Sequence, residues 1–166
     1  MPEEELNIES QLNQEIYTVI KHSDANNQFF ADKDTLTFND FLSNRLSIIF
    51  LIREGVPYSL FSLIQLYTPF SEKDWSKFLD ISIKSLQRYK QSAKQFKSLQ
   101  SEKIIEMAEV TNIGLEVFGD STKFKLWLDT PNFALGGVMP MELLKDSYGK
   151  EMVVGELTRI NYGILS

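Results

Sequence analysis

Apolar residues recur every three or four positions along most of this chain, and few stretches show the two-residue alternation of a β-strand. Phe41 and Ile49 follow the helical spacing, and Gly55 is placed to end their helix. Thr37 or Asn39 is the predicted cap at its start. We therefore predict an all-α fold, with helices over about residues 41–53, 59–66, 72–79, 83–100, 104–118, 122–128, 141–144 and 150–162.

The composition is that of an ordinary globular protein. The 166 residues are 43% hydrophobic, which is enough apolar material for one compact domain or two small ones. The longest apolar run, Leu46–Ile52 with Ser47 inside it, is far shorter than the roughly 20 residues of a membrane-spanning helix. The acidic start, Met1–Glu5, does not resemble a secretory signal, so we expect a cytoplasmic protein with no membrane partner.

Residue types that carry much of enzyme chemistry are absent or rare. The chain has no cysteine, which excludes disulfides, thiolate nucleophiles and zinc fingers, and its single histidine, His22, excludes a metal site built on two imidazoles. A hydrolase that uses two carboxylates is the remaining enzymatic alternative. Incidental carboxylate pairs are expected among 23 acidic residues, and no nucleophile, base and orienting group can be assembled around His22. We therefore expect no catalytic residues, no metal and no cofactor.

The net charge of −6 is unevenly distributed along the chain. Residues 1–55 carry ten acidic and four basic side chains, residues 56–103 carry four and eight, and residues 104–166 carry nine and five. A basic middle between acidic ends suits a centre that contacts DNA, although a solvated lysine-rich helix face gives the same distribution. The polar residues 1–37 are predicted to form an acidic arm that is flexible or weakly helical, in which only Leu12, Ile16, Val19 and Ile20 have the spacing of a short apolar helical stripe.

Residues 71–89 show the pattern of a helix-turn-helix. Ser71 and Asp74 resemble a capping pair at the start of a first helix, and Asp80 fits a left-handed turn before the second. The second helix has Leu86 on its apolar side and hydrogen-bond donors for bases or phosphates on the other. The predicted DNA-binding residues are Ser82, Lys84, Ser85, Gln87, Arg88, Lys90 and Lys94. An ordinary helical hairpin of a bundle has a similar apolar pattern and stays an alternative.

The last third of the chain combines aromatic residues with glycines and prolines, which is more turn chemistry than a generic helical domain needs. Trp127 and Tyr162 each have an apolar body and a polar tip, which suits either a core or a protein interface. Gly136 and Gly137 lack the lysine of a phosphate-binding loop. We interpret these glycines as a turn that allows close backbone approach.

Two regions of the chain, in the right order, resemble the MbcA/ParS/Xre antitoxin family. Upstream, Arg53-Glu54-Gly55-Val56 and the run Ser82–Arg88 resemble its Xre-like helix-turn-helix half. The C-terminal region is similar to the family's toxin-binding domain through Phe118-Gly119-Asp120, Trp127-Leu128, Pro131-Asn132, Leu135-Gly136-Gly137, Pro140, Leu143-Leu144, Gly149 and Arg159-Ile160-Asn161-Tyr162-Gly163. The resemblance covers about residues 40–166.

The resemblance implies an antitoxin of a type II toxin–antitoxin system, not an enzyme. Its partner would be a RES-domain toxin that consumes NAD or transfers ADP-ribose from it, and it would bind the DNA of its own promoter as a dimer or larger assembly. The implied domains are a helix-turn-helix domain over 38–100 and a small helical toxin-binding domain over 101–166. The residues it assigns to toxin binding are Trp127, Asn132, Leu135, Gly136, Gly137, Pro140, Leu143, Leu144, Gly149, Arg159, Tyr162, Gly163 and Ser166, with 162–166 nearest the toxin's active site.

A free-standing transcriptional regulator without a toxin partner is the alternative. It keeps Lys84, Gln87 and Arg88 as DNA contacts and makes Trp127 and the glycine pair purely structural. The identity of the neighbouring genes would distinguish the antitoxin hypothesis from the free-standing regulator.

Overall fold

The structure, a computed structural model, describes the backbone of residues 2–23 and 36–163, and the side chains within those ranges from residue 7 onward. Over these residues the chain is helical and has no strand, although isolated bridges join Pro57 to Gln95 and Asn132 to Val138. The predicted all-α fold is confirmed. The helices are α1 (Pro2–Lys21), α2 (Phe38–Leu42), α3 (Arg45–Glu54), α4 (Tyr58–Tyr67), α5 (Glu72–Leu79), α6 (Ile83–Ser92), α7 (Ser98–Phe118), α8 (Ser121–Leu128), the 3-10 turn η1 (Phe133–Leu135), α9 (Pro140–Leu143) and α10 (Ser147–Asn161).

The chain packs into two compact units, which are described separately. Of the described residues, unit 1 contains those up to Tyr67 together with Ile81–Ile105, and unit 2 contains Thr68–Asp80 and those from Glu106 onward. Helix α7 therefore contributes its first two turns to unit 1 and the rest to unit 2. The predicted domain limits stay a prediction, and the one between residues 100 and 101 lies inside α7.

In unit 1 the N-terminal segment is a packed helix, so the prediction of a flexible or weakly helical arm over residues 1–37 is wrong for its described part. Helix α1 packs on α2 and α4. Its residues Leu12, Ile16 and Ile20 lie four positions apart on one face and are buried. Burying each aliphatic side chain stabilises the folded protein by about 1.5–3 kcal/mol. This stabilisation orders the segment despite its polar composition. Residues 24–35 of the predicted arm lie outside the described residues.

The predicted helix over 83–100 is two helices in the structure. Helix α6 ends at Ser92, and Ala93 follows in the left-handed conformation with φ 52°. The chain then passes Val56, whose carbonyl accepts a hydrogen bond of 2.9 Å from the N–H of Phe96. Phe96 is 2% exposed. Burial of this aromatic ring off the helix path thus overrides the helical spacing of its neighbours.

The predicted helix over 41–53 is also divided. Thr37 caps α2, because its hydroxyl accepts from the Asp40 N–H at 3.0 Å and its own N–H donates to the Asp40 carboxylate. Asn44 then caps α3 by accepting from the Ser47 N–H at 3.2 Å. The two caps separate the segment into α2 and α3, and Thr37 is confirmed as the initial cap.

Unit 2 contains clusters of aromatic rings. Phe70, Trp75 and Phe78 meet edge to face, with ring centroids 5.0–5.9 Å apart. The ring of Phe124 lies on Gly114 of α7, where an added Cβ would come within 2.4 Å of it. The absence of a side chain at Gly114 is therefore what lets α8 approach α7 so closely.

Candidate functional site

The turn between α5 and α6 has the local geometry that the sequence predicts. The Ser71 hydroxyl accepts from the Asp74 N–H at 3.1 Å, and the Asp74 carboxylate accepts from the Ser71 N–H at 2.9 Å. Asp80 ends α5 in the left-handed conformation, with φ 52° and ψ 45°. Ser82 caps α6 by accepting from the Ser85 N–H at 3.0 Å. The capping pair, the left-handed turn and the second cap are all confirmed.

The inner side of α6 is fixed within unit 1. Leu86 is 2% exposed. The Tyr89 ring stacks on Phe96 with centroids 4.4 Å apart and planes 8° apart, and its hydroxyl donates to Gln100 at 3.3 Å. Because three groups fix this side, the outer side of α6 has a defined orientation relative to the unit that bears it.

The outer side of α6 is polar and exposed. Lys84, Gln87, Arg88 and Gln91 occupy positions i, i+3, i+4 and i+7, so they share one face, and all four are exposed. Two cations and two amides on one face can contact phosphates and donate to or accept from base edges. This face is the candidate nucleic-acid surface of unit 1.

An open depression of about 550 Å³ adjoins that face. Lys94 lies beyond the end of α6 and lines the depression together with Arg88, so two cations border one space. Lys90 is exposed on the flank of α6 and does not line it. Ser82 is exposed at the helix start, and its hydroxyl donates to that of Ser85 at 3.0 Å. The residues lining the depression are Ser85, Arg88, Tyr89, Gln91, Ser92 and Lys94.

The residues predicted to bind a toxin fall into three groups by exposure in unit 2. Four of them are buried, namely Leu135, Pro140, Leu144 and Gly149. The half-buried ones are Trp127, Asn132, Leu143 and Arg159, and the exposed ones are Gly136, Gly137, Tyr162 and Gly163. Ser166 lies outside the described residues, as do 164 and 165.

Residues 132–138 form a compact turn. The Asn132 N–H donates to the Val138 carbonyl at 3.0 Å, and the Asn132 side chain accepts from the Ala134 N–H at 2.8 Å. Gly136 and Gly137 both have positive φ, 85° and 83°, which confirms the predicted turn. The predicted close backbone approach is wrong, because an added Cβ at either glycine would meet nothing within 4 Å and the positive φ alone favours glycine there. This turn carries η1, whose Leu135 is buried, and η1 packs against α10. Asn132, Gly136 and Gly137 therefore fix the backbone of the turn that packs against α10.

Two further residues of the predicted set fix α10 itself. An added Cβ at Gly149 would lie 1.8 Å from the carbonyl oxygen of Leu143, so only glycine permits this contact between α10 and the end of α9. The Arg159 Nε donates to the carboxylate of Glu156 at 2.9 Å, and Glu156 is 9% exposed. This hydrogen bond raises the pKa of Arg159 above its ordinary value. Gly149 and Arg159 thus have structural partners within unit 2.

Exposed apolar side chains in unit 2 are the feature that the sequence analysis missed. Phe133 is 98% exposed, Tyr148 85%, Leu126 69% and Met152 48%. The sequence held a signal for three of them. Tyr148 and Met152 lie at i and i+4, off the stripe that holds the buried Val153 and Leu157. Phe133 follows Pro131-Asn132 in a turn, where a large apolar residue is unusual.

In the described ranges no three His, Asp or Glu side chains are grouped so that they could hold a metal ion. None of the helices there combines the length and apolar character needed to cross a membrane.

Comparisons with known proteins agree with the two-part sequence pattern. A crystal structure of the MbcT-MbcA toxin–antitoxin complex of M. tuberculosis gives a TM-score of 0.49 at 21% identity, covering 58% of this chain and 86% of that one. Antitoxin Xre of Photorhabdus laumondii subsp. laumondii is 28% identical over 117 residues, which is 70% of this chain and 79% of that protein. Residues 47–109 match the Antitoxin Xre-like helix-turn-helix domain, and residues 114–163 match the Antitoxin Xre/MbcA/ParS C-terminal toxin-binding domain. The chain therefore belongs to the Xre/MbcA/ParS family of antitoxins.

Proposed function

We propose that this antitoxin neutralises a RES-domain toxin encoded beside it, one that consumes NAD or transfers ADP-ribose from it, and that it represses its own operon. The observation that carries the proposal is the presence in one chain of both family domains, the helix-turn-helix over 47–109 and the toxin-binding domain over 114–163. In this proposal the chain has no catalytic activity and uses no cofactor. Because its partners are a toxin and operator DNA, it acts in the cytoplasm.

The charge of the C-terminal part supports the toxin half of the proposal. Residues 104–166 carry nine acidic and five basic side chains. A site that binds an anionic dinucleotide needs positive potential, and an acidic partner is complementary to it. The antitoxin then covers the active site of the toxin, with Tyr162 and Gly163 close to it at the end of α10 and Ser166 beyond them.

The outer face of α6 supports the DNA half. Lys84, Gln87 and Arg88 enter the major groove, while Ser82, Ser85, Lys90 and Lys94 contact phosphates around it. One recognition helix reads too few bases for useful specificity, so the protein binds its operator as a dimer or as a larger assembly with the toxin.

Inducible expression of the neighbouring open reading frame, with and without this chain, tests the toxin half. Relief of growth arrest together with co-purification of a stable complex is the expected result. A harmless neighbour, or toxicity that this chain neither relieves nor binds, would refute it and favour a free-standing regulator.

Arg88→Ala tests the DNA half. Loss of a base contact costs about 1–3 kcal/mol of operator binding, or roughly 5- to 150-fold in Kd. Fluorescence anisotropy with the DNA upstream of the operon, at fixed salt, measures this change. Arg45→Ala removes the same charge from an exposed position on α3 and is the matched control. Equal Kd values for wild type and Arg88→Ala would show that Arg88 is not in the DNA interface. Neutralisation of the toxin should be unchanged in both Arg88→Ala and Arg45→Ala.

A further inference from the structure

Phe133 is the most exposed large apolar residue among those described, at 98% of its full accessible area. It does not lie on a loose loop. It is the first residue of η1, in a turn closed by the Asn132–Val138 bridge and by hydrogen bonds from Leu135 and Gly137 to the Asn132 carbonyl, at 3.1 and 2.9 Å. In the free protein this phenyl ring stays in water, so it contributes no hydrophobic free energy to the stability of the turn.

Two more exposed apolar side chains lie on the helix against which this turn packs. η1 contacts α10, and α10 presents Tyr148 and Met152 one turn apart, 85% and 48% exposed. Gly155, the next position along that face, is also exposed and meets no atom within 4 Å of an added Cβ. We call Phe133, Tyr148 and Met152 the aromatic patch.

We propose that the aromatic patch is the anchor surface for the toxin, with Phe133 and Tyr148 inserted into an apolar recess of that partner. The proposal rests on the proposed function. All three residues lie within 114–163, the stretch that matches a domain described as toxin-binding. Aromatic residues held on a rigid frame are the usual energetic centre of a protein interface, since little conformational entropy is lost when they bind.

The patch by itself is too small for a stable symmetric dimer of this chain, and the match to a toxin-binding domain favours the toxin as its partner. Two largely exposed aromatic rings and a half-exposed methionine offer about 400–500 Å² of contact area. A symmetric dimer formed through the patch alone would bury about 900 Å² in total, below the roughly 1,200 Å² of a stable specific interface. A larger partner that covers the patch and the surface around it reaches that area.

The patch also separates two roles in the predicted toxin-binding set. Leu135, Leu144 and Gly149 are buried and contact other parts of unit 2. They act as positioning residues, which hold in place the two elements, η1 and α10, that carry Phe133 and Tyr148.

The test measures binding of the full-length antitoxin to the purified product of the neighbouring gene. Phe133→Ser and Tyr148→Ser should each raise the Kd about tenfold or more, which is the effect of truncating an anchor residue. Leu66→Ser is the matched control, because Leu66 is 64% exposed on α4 of unit 1 and loses a similar apolar area. Its Kd should stay within about twofold of wild type, as expected for a contact outside the interface. Because Phe133, Tyr148 and Leu66 are all exposed, the melting temperatures of the three variants should equal that of wild type.

Unchanged toxin affinity in both Phe133→Ser and Tyr148→Ser would overturn the proposal while leaving the antitoxin function intact. Loss of a dimer of the free antitoxin in these variants, with toxin affinity unchanged, would assign the patch to a second copy and equally overturn it. If the wild-type protein itself fails to bind the toxin, the proposed function fails, and this inference fails with it.

Discussion

Helix α10 contains two glycines, and the structure predicts opposite effects for the same substitution at each. At Gly149 an added Cβ would lie 1.8 Å from the Leu143 carbonyl oxygen and 3.0 Å from the Leu143 Cα. At Gly155, six residues further along the same helix, it would meet nothing within 4 Å. Gly149→Ala and Gly155→Ala therefore form a matched pair in which only the surroundings differ.

The expected magnitudes follow from two competing effects. Replacing a glycine inside a helix by alanine stabilises the helix by about 0.5–1 kcal/mol, and at Gly155 nothing opposes this gain. At Gly149 the methyl group cannot be accommodated without moving the backbone of α9 or α10. Overpacking of this kind costs typically 1–3 kcal/mol, and contact with a carbonyl rather than a flexible side chain places Gly149→Ala near the upper end. We expect a net loss of about 2 kcal/mol there.

Thermal unfolding followed by circular dichroism measures both variants. For a chain of this length 1 kcal/mol corresponds to about 2–4 °C, so Gly155→Ala should raise the Tm by about 1–4 °C and Gly149→Ala should lower it by about 4–8 °C. Equal Tm values for the two variants would refute the tight contact between α10 and the Leu143 carbonyl. A loss of toxin affinity in Gly149→Ala without a change in Tm would instead make Gly149 a direct contact.

Two further substitutions test other parts of the fold. Burial, with a smaller contribution from the charge of Glu9, raises the pKa of Tyr67 above its ordinary value of about 10. Because the folded-state pKa is raised, the stabilisation from the neutral tyrosine is complete below pH 10 and is lost as the pH rises above it. The difference in free energy of unfolding between wild type and Tyr67→Phe, measured with urea, should therefore shrink by up to about 1.4 kcal/mol per pH unit above pH 10. A constant difference between pH 9 and 11 would contradict the burial. Ala93 adopts φ 52°, a conformation that costs a non-glycine residue about 1–2 kcal/mol. Glycine removes this strain but loses more backbone entropy on folding, so Ala93→Gly should stabilise the protein by a net amount of about 0.5–1 kcal/mol in the same assay. A destabilised Ala93→Gly would count against the left-handed end of α6.

Much of the fold follows from local sequence signals. Ser71 with Asp74, Asp80 and Ser82 specify caps and a turn by short-range hydrogen bonds and backbone preference, and the structure has each of them as predicted. The bounds of α5, Glu72–Leu79, were likewise predictable, because a capping pair and a left-handed residue mark both ends.

Long-range packing decided the elements that the sequence analysis did not identify. Helix α1 has the composition of a disordered segment, and it is ordered by the contact of Leu12, Ile16 and Ile20 with the rest of unit 1. The break at Ala93 depends on the pairing of Phe96 with Val56, forty residues earlier. The apolar stripe of α1 is visible in the sequence, but its spacing does not show that the stripe is buried against other helices of unit 1. The pairing of Phe96 with Val56 has no local signature at all.

The same distinction applies to the candidate toxin surface. The residues through which the chain resembles its family include Leu135, Leu144 and Gly149, and the structure buries all three. A truncation such as Leu144→Ala removes packed methyl groups and costs about 2–5 kcal/mol, so it would impair neutralisation by destabilising unit 2 even if Leu144 never touches the toxin. Exposed side chains such as Phe133 do not contribute to the core, so we expect their substitution to change affinity without changing stability. Only a comparison of Kd and Tm for the same variant therefore separates residues that build the surface from residues that bind through it.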